Sequence, residues 1–191
     1  MNKRDLILYV HGWNSHANAR KAQLIEHELK YHEIFDTASI TLKNHPREAV
    51  KQLTEFISEK QRKYNVHLIG SSLGGYYSVF LAETLNLKAA MINPAVWAYK
   101  IFENDRGNVE NPNTGEKYFI DQTWIDSLEE IFIEAPTPAR YLVLLQTGDE
   151  TLDYKYAEKY FSGARIVIDE GGSHSFDALE KKIPQILLHF S

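Results

Sequence analysis

Apolar positions along this chain alternate between two kinds of run. Short, nearly continuous apolar stretches occur at Asp5–Val10, Thr37–Leu42, Val66–Gly70, Ala89–Asn93, Arg140–Thr147 and Arg165–Asp169. Continuity of that kind suits strands covered on both faces. Between them, Ala19–His32 and Pro46–Lys63 carry apolar residues at helical spacing. Val50, Leu53, Phe56 and Ile57 form one stripe, with Pro46 in the first turn. Asp153 is expected to cap a helix over Tyr154–Phe161, and Ser175 a final helical region that Pro184 kinks or divides.

Strand and helix in alternation predict a doubly wound parallel sheet, because parallel neighbours need crossover connections. The expected fold class is α/β: a six-stranded, mostly parallel sheet with helices on both faces, in one domain spanning residues 1–191. Reactive loops of such sheets lie at the carboxyl ends of the strands. That brings His11-Gly12, Gly70-Ser71-Ser72, Asn93-Pro94, Gly148-Asp149 and Gly171–Ser175 to one edge. Residues 97–136 break the rhythm. They show no clear strand and carry nine acidic residues against three basic ones. They are expected to form a small cap-like insertion after the fourth strand, or else a decorated crossover away from the site.

Composition narrows the chemistry. The chain has 191 residues, 43% hydrophobic and 25% charged, enough for a substantial core. A net charge of −5 and a pI near 5.9 give no support to nucleic-acid binding. No cysteine is present, which excludes disulfides and thiolate catalysis. The basic start Met1-Asn2-Lys3-Arg4 precedes an apolar run too short for a signal peptide, and nothing reaches the length of a membrane span. A cytoplasmic protein is the expectation.

Gly70-Ser71-Ser72-Leu73-Gly74 fits G-x-S-x-G, a nucleophile elbow between a strand and a helix. Its serine must stand at the tip of a tight turn, so glycines are needed two residues before and after it, where side chains would collide. Ser72, not Ser71, has glycine at both offsets. A nucleophilic serine needs a base, and the base an orienting carboxylate. Among eight histidines, His174 in "IDEGGSHSF" is best placed, following the last strand at the reactive edge. His27, His32, His45 and His189 fall in helices or their approaches, His67 lies inside a strand, and His16 is a weak outside candidate. Asp149 in "LLQTGDETLDY" directly follows a long apolar strand, whereas Asp169 stands too close before His174. The order Ser72, Asp149, His174 is the one expected on this type of sheet. Oxyanion donors are expected from the Leu73 N–H and, where Gly12 lets the first loop turn, from the Trp13 N–H. His11 is read as structural. No metal site is expected, since His11 and His16 lack metal spacing, and the Gly70–Gly75 run lacks the Lys-Ser/Thr of a phosphate loop.

Together "LYVHGWNSH", "LIGSSLGGYYSVFLAE", "NPAV", "NPNTGEKY", "LLQTGDETLDY" and "EGGSHSF" resemble the YqiA-like small bacterial esterases of the α/β-hydrolase superfamily, in the same order over essentially the whole chain. The resemblance implies a compact α/β hydrolase lacking the extra N-terminal hairpin, and ester hydrolysis without metal or organic cofactor. It implies Ser72 as nucleophile, Asp149 as acid and His174 as base, acting on acyl esters including acyl-CoA thioesters. The acidic middle segment, were it to cover the pocket, would repel a polyanionic coenzyme A head group and favour neutral esters. Two other readings stay open: a hydrolase-like binding module without turnover, and a peptidase or C–C hydrolase using the same three residues.

Overall fold

The computed structural model describes residues 3–191; Met1 and Asn2, half of the basic start, lie outside them. Six strands form one sheet: β1 (Arg4–Val10), β2 (Phe35–Ser39), β3 (Tyr64–Ser71), β4 (Ala89–Ile92), β7 (Tyr141–Gln146) and β8 (Arg165–Asp169). Their order is β2-β1-β3-β4-β7-β8, and all five pairings are parallel.

Alternation along each strand sends side chains to two separate cores. Leu6, Leu8 and Val10 of β1 join Leu68, Met91 and Val143 on one face. There they pack against α2 (Pro46–Lys60), α3 (Leu73–Leu85) and α6 (Tyr154–Tyr160), through residues such as Leu53, Ile57, Leu81 and Phe161. Ile7 and Tyr9 join Ile69, Ile92 and Leu144 on the other face, under α1 (Arg20–Leu29) and α7 (Ile183–Phe190). Covered on both sides, the central strands carry few polar residues, which is why their apolar runs read as continuous.

The elements fall close to where the pattern puts them, with instructive departures. Strand β2 runs over Phe35–Ser39 instead of Thr37–Leu42, and its last pairing with β1 is Tyr9 with Ser39. Leu42 is nonetheless buried, and its N–H donates to His11 Nε2 at 3.0 Å. Pro46 does start α2, and Asp153 caps α6 by accepting from the Lys155 N–H at 3.0 Å. Ser175 caps nothing. The final helical region begins instead after Ala178, with a 3-10 turn over Leu179–Lys182, and Pro184 in the first turn of α7 divides the two.

The middle segment is more ordered than its sequence suggests. Between β4 and β7 lie α4 (Ala98–Ile101), a hairpin of β5 (Gly107–Glu110) and β6 (Lys117–Ile120), and α5 (Gln122–Glu129). The hairpin strands are four residues long and half exposed, so they leave no apolar run to recognise. Its tip is fixed by side-chain chemistry: the Asn111 carbonyl oxygen of the side chain accepts from the Asn113 and Thr114 N–H groups.

Candidate active site

Strand β3 ends at Ser71 and α3 begins at Leu73, leaving Ser72 alone at the junction with φ 54° and ψ −124°. A non-glycine residue at positive φ and this ψ is strained, and it persists only where its surroundings overdetermine it. Two glycines do so by allowing close approach. A Cβ on Gly70 would stand 2.7 Å from the Gly74 carbonyl oxygen. One on Gly74 would run into the Val10 carbonyl and stand 2.5 Å from that of His11. The two glycines therefore do crowd one another, but the tighter limit on Gly74 is the end of β1.

His174 reaches this serine from the loop after β8. Its Nε2 lies 3.1 Å from Ser72 Oγ, and its Nδ1 lies 2.9 and 3.0 Å from the two Asp149 oxygens. With Nδ1–H donating to the carboxylate, Nε2 is left to accept from the hydroxyl. The Asp149 side chain is 3% exposed. Burial by itself would raise its pKa, but hydrogen bonds from His174 and from the Leu152 and Thr151 N–H groups outweigh it and hold the carboxyl below its ordinary value. Asp169, the weaker candidate acid, is engaged by Lys182 at 2.6 Å.

Four residues to which sequence reasoning gives no role hold the histidine loop, although it places Asn93 at the reactive edge. Gln146, 4% exposed, accepts through Oε1 from the Ser173 and Asp177 N–H groups at 3.1 and 2.8 Å. Its Nε2 donates to the Asp177 carbonyl at 2.9 Å. Asn93, 3% exposed, accepts from the Gln146 N–H at 3.0 Å and donates to the Ser173 carbonyl at 2.9 Å. Glu150 accepts from the His174 N–H at 2.9 Å, and Lys21 donates to the Ser175 carbonyl at 3.0 Å. Burial lowers the Lys21 pKa against the opposing pull of Asp149. A signal for Gln146 exists in the sequence: it is the one polar residue in the apolar run "YLVLLQ".

The loop after β1 passes beside Ser72. A Cβ on Gly12 would lie 3.1 Å from Ser72 Cβ and 3.6 Å from its Oγ. Among the described residues, neither the Trp13 nor the Leu73 N–H donates to a protein acceptor. His11 is buried beneath this loop. Its Nε2 accepts from Leu42 and its Nδ1 lies 2.8 Å from the Gly12 carbonyl, and burial lowers its pKa. A neutral ring with both nitrogens occupied is a structural part of the turn. The other histidines are not brought to Ser72. His67 lies against Asp5 at 2.9 Å and stacks on Phe190, His45 caps α2, and His16 accepts from the Asn18 N–H. Among the described residues, no group of three or more His, Asp or Glu is arranged to hold a metal ion. None of their helices is long and apolar enough to cross a membrane.

Ser72 and His174 open onto a cavity of about 420 Å³ between the start of α1 and residues 174–180. Leu24, Phe176 and Leu179 supply apolar wall, Arg20 and Lys21 two cations, Asp177 and Glu180 two anions. No residue of 97–136 lines it. The charge argument against anionic substrates, which required that segment to cover the pocket, therefore has no footing.

A parallel sheet in this order, with a strained serine at its strand–helix elbow, places the chain in the α/β-hydrolase class of fold. Residues 6–191 match the model of the Uncharacterised protein family (UPF0227), and the chain belongs to that family, the YcfP/YqiA-like group its motifs resemble. The UPF0227 protein YcfP of Salmonella gallinarum is 24% identical over 187 residues, covering 95% of this chain and 96% of the relative. A UPF0227 protein of Shewanella woodyi is 25% identical over 191 residues, covering 95% and 97%. Among solved structures, Est1E of Butyrivibrio proteoclasticus with bound ferulic acid is similar at a TM-score of 0.78 and 15% identity, over 98% of this chain and 90% of that one. Mouse alpha/beta hydrolase domain-containing protein 10 is similar at 0.72 and 20% identity, over 97% and 90%.

Proposed function

We propose that this protein is a serine esterase that hydrolyses carboxylic acyl esters, thioesters included, through an acyl-enzyme on Ser72. The observation that carries the reading is the chain of contacts Ser72 Oγ, His174 Nε2, His174 Nδ1 and Asp149, at 3.1 and 2.9 Å, around a serine held at φ 54°. Ser72 Oγ attacks the acyl carbon while its proton passes to His174 Nε2. The carbonyl oxygen gains negative charge and is met by the Leu73 and Trp13 N–H groups, each such donor contributing ~2.7–4 kcal/mol. Collapse expels the alcohol or thiol, which takes the proton from His174 and leaves an ester on Ser72. Water then attacks that ester, giving its proton to the same nitrogen, and the acid departs as Ser72 recovers its hydrogen. Asp149 keeps its charge throughout and holds the imidazole in the tautomer that accepts from Ser72.

Leu24, Phe176 and Leu179 offer the acyl group an apolar wall. The ferulic acid held by Est1E is a carboxylic acid, the kind of product this reaction releases. The test is turnover of p-nitrophenyl acetate and butyrate by wild type and Ser72→Ala. Loss of roughly 10⁶-fold in kcat supports the reading; equal turnover by the two removes Ser72 from the mechanism. Covalent labelling of Ser72 by a fluorophosphonate separates this enzyme from a binding module of the same fold.

A further inference from the structure

Residues 97–136 line no part of the cavity, so their contribution must be sought in what they touch. The hairpin β5–β6 touches the loop that follows β1. Tyr118 on β6 accepts a hydrogen bond from Trp13 Nε1 at 2.6 Å and donates one to Asn14 Oδ1 at 2.8 Å. Asn113, at the hairpin tip, donates from its side chain to the Asn14 carbonyl. That tip is itself anchored, because Asn111 is 2% exposed and donates to Asn44 Oδ1 at 3.0 Å. Phe102, just before the hairpin, receives the Trp13 ring edge-on at 5.0 Å between centroids, and rests in turn on Trp124 at 4.8 Å.

The loop needs such support. Gly12 places no side chain in the core, Trp13 is 38% exposed, and Asn14 sits at φ 53°. Within the turn, the peptide joining Gly12 to Trp13 is held through its carbonyl, which accepts from the Ser15 N–H at 3.3 Å and faces His11 Nδ1 at 2.8 Å; its Trp13 side has no such hold from the core. The Trp13 N–H belongs to that peptide, and a rotation that turned it from the acyl oxygen would remove one of two oxyanion donors. Tyr118 holds the residues on the far side of this N–H by using both the donor and the acceptor capacity of its one hydroxyl.

We propose that the hairpin is a brace for the oxyanion loop and that Tyr118 is its positioning residue, acting through Trp13 and Asn14 without touching substrate. The proposal rests on the esterase reading above. It assigns the insertion to transition-state stabilisation and not to gating of the cavity.

Tyr118→Phe keeps the ring and removes only the hydroxyl. With p-nitrophenyl butyrate, kcat is expected to fall about tenfold with KM and thermal midpoint unchanged, since a small displacement of a preorganised donor acts on the transition state alone. Binding of a trifluoromethyl ketone, which forms an oxyanion on Ser72, should weaken by the same factor. Trp13→Phe should lose a similar factor, and the double variant no more than either single one, because the two side chains act as one unit. Phe119→Ala, on the opposite, exposed face of β6, should leave kcat as in wild type. Wild-type kcat in Tyr118→Phe overturns the brace, as does a fall matched by a lowered midpoint. Either result leaves the esterase reading standing if Ser72→Ala is inactive. Equal turnover by Ser72→Ala and wild type overturns both.

Discussion

Two loops meet at Ser72, and they are held in opposite ways. The elbow at residues 70–75 is fixed by what is missing. Gly70 and Gly74 carry no Cβ, and the backbones of β1, β3 and α3 close to contact distance around Ser72. The histidine loop at residues 170–177 is fixed by what is added. Side chains from β7, the turns after β4 and β7, and α1 supply its hydrogen bonds, with Gln146 and Asn93 buried at the centre. Steric exclusion is stiff and local. A polar network is adjustable, and each member's worth depends on all the others being satisfied. Ser72 thus has a rigid seat, and His174 is positioned by a set of interdependent hydrogen bonds.

That contrast can be broken by substitution at either loop. The largest effect belongs to the elbow. Gly74→Ala forces a methyl group into the Val10 and His11 carbonyls, neither of which is a flexible side-chain end. A loss of about 3 kcal/mol in urea-unfolding stability is expected, and an unchanged midpoint would show that the seat is not sterically fixed. The histidine loop should respond differently. Gln146→Leu leaves the Ser173 and Asp177 N–H groups without their acceptor, and His174 becomes free to drift from Ser72. A fall in kcat of about 10²-fold with little change in KM is expected. Retention of full kcat would mean that the loop holds itself.

The smallest effect lies in pH. The fold holds the Asp149 carboxyl below its ordinary value, so the ionised form is the one favoured by folding. Its contribution to stability is present above the unfolded pKa of about 3.9 and is lost as pH falls through the lower folded value. Thermal midpoints of wild type and Asp149→Asn, followed from pH 7 to pH 3, should converge only below about pH 4. A constant gap to pH 3 would remove the linkage between this carboxylate and the fold.

The same division decides what could be read along the chain. Strands β1 and β8 stand where the apolar runs put them: β1 is covered on both faces and announces itself by composition, and the half-exposed edge strand β8 by its β-branched run Ile166-Val167-Ile168. Ser72 was legible because G-x-S-x-G compresses a three-dimensional constraint into five consecutive residues. Gln146 stands out only as the one polar residue of an apolar run, and its role was not legible, since its partners Ser173 and Asp177 lie 27 and 31 positions away. The hairpin escaped for a related reason: its strands are short and half exposed, and its order comes from Asn113 and Tyr118 contacting Trp13 and Asn14 after β1 and from Asn111 contacting Asn44 before α2.

By itself, then, the order of residues determined the parallel α/β architecture, the elbow and the candidates Asp149 and His174, because periodicity and glycine spacing are local imprints of backbone geometry. Tertiary structure alone decided which polar side chains hold those candidates, where the cavity opens and what the acidic middle segment leans against. Hydrogen bonds between distant residues need only complementary groups at about 3 Å, and that condition leaves no periodic trace in a sequence.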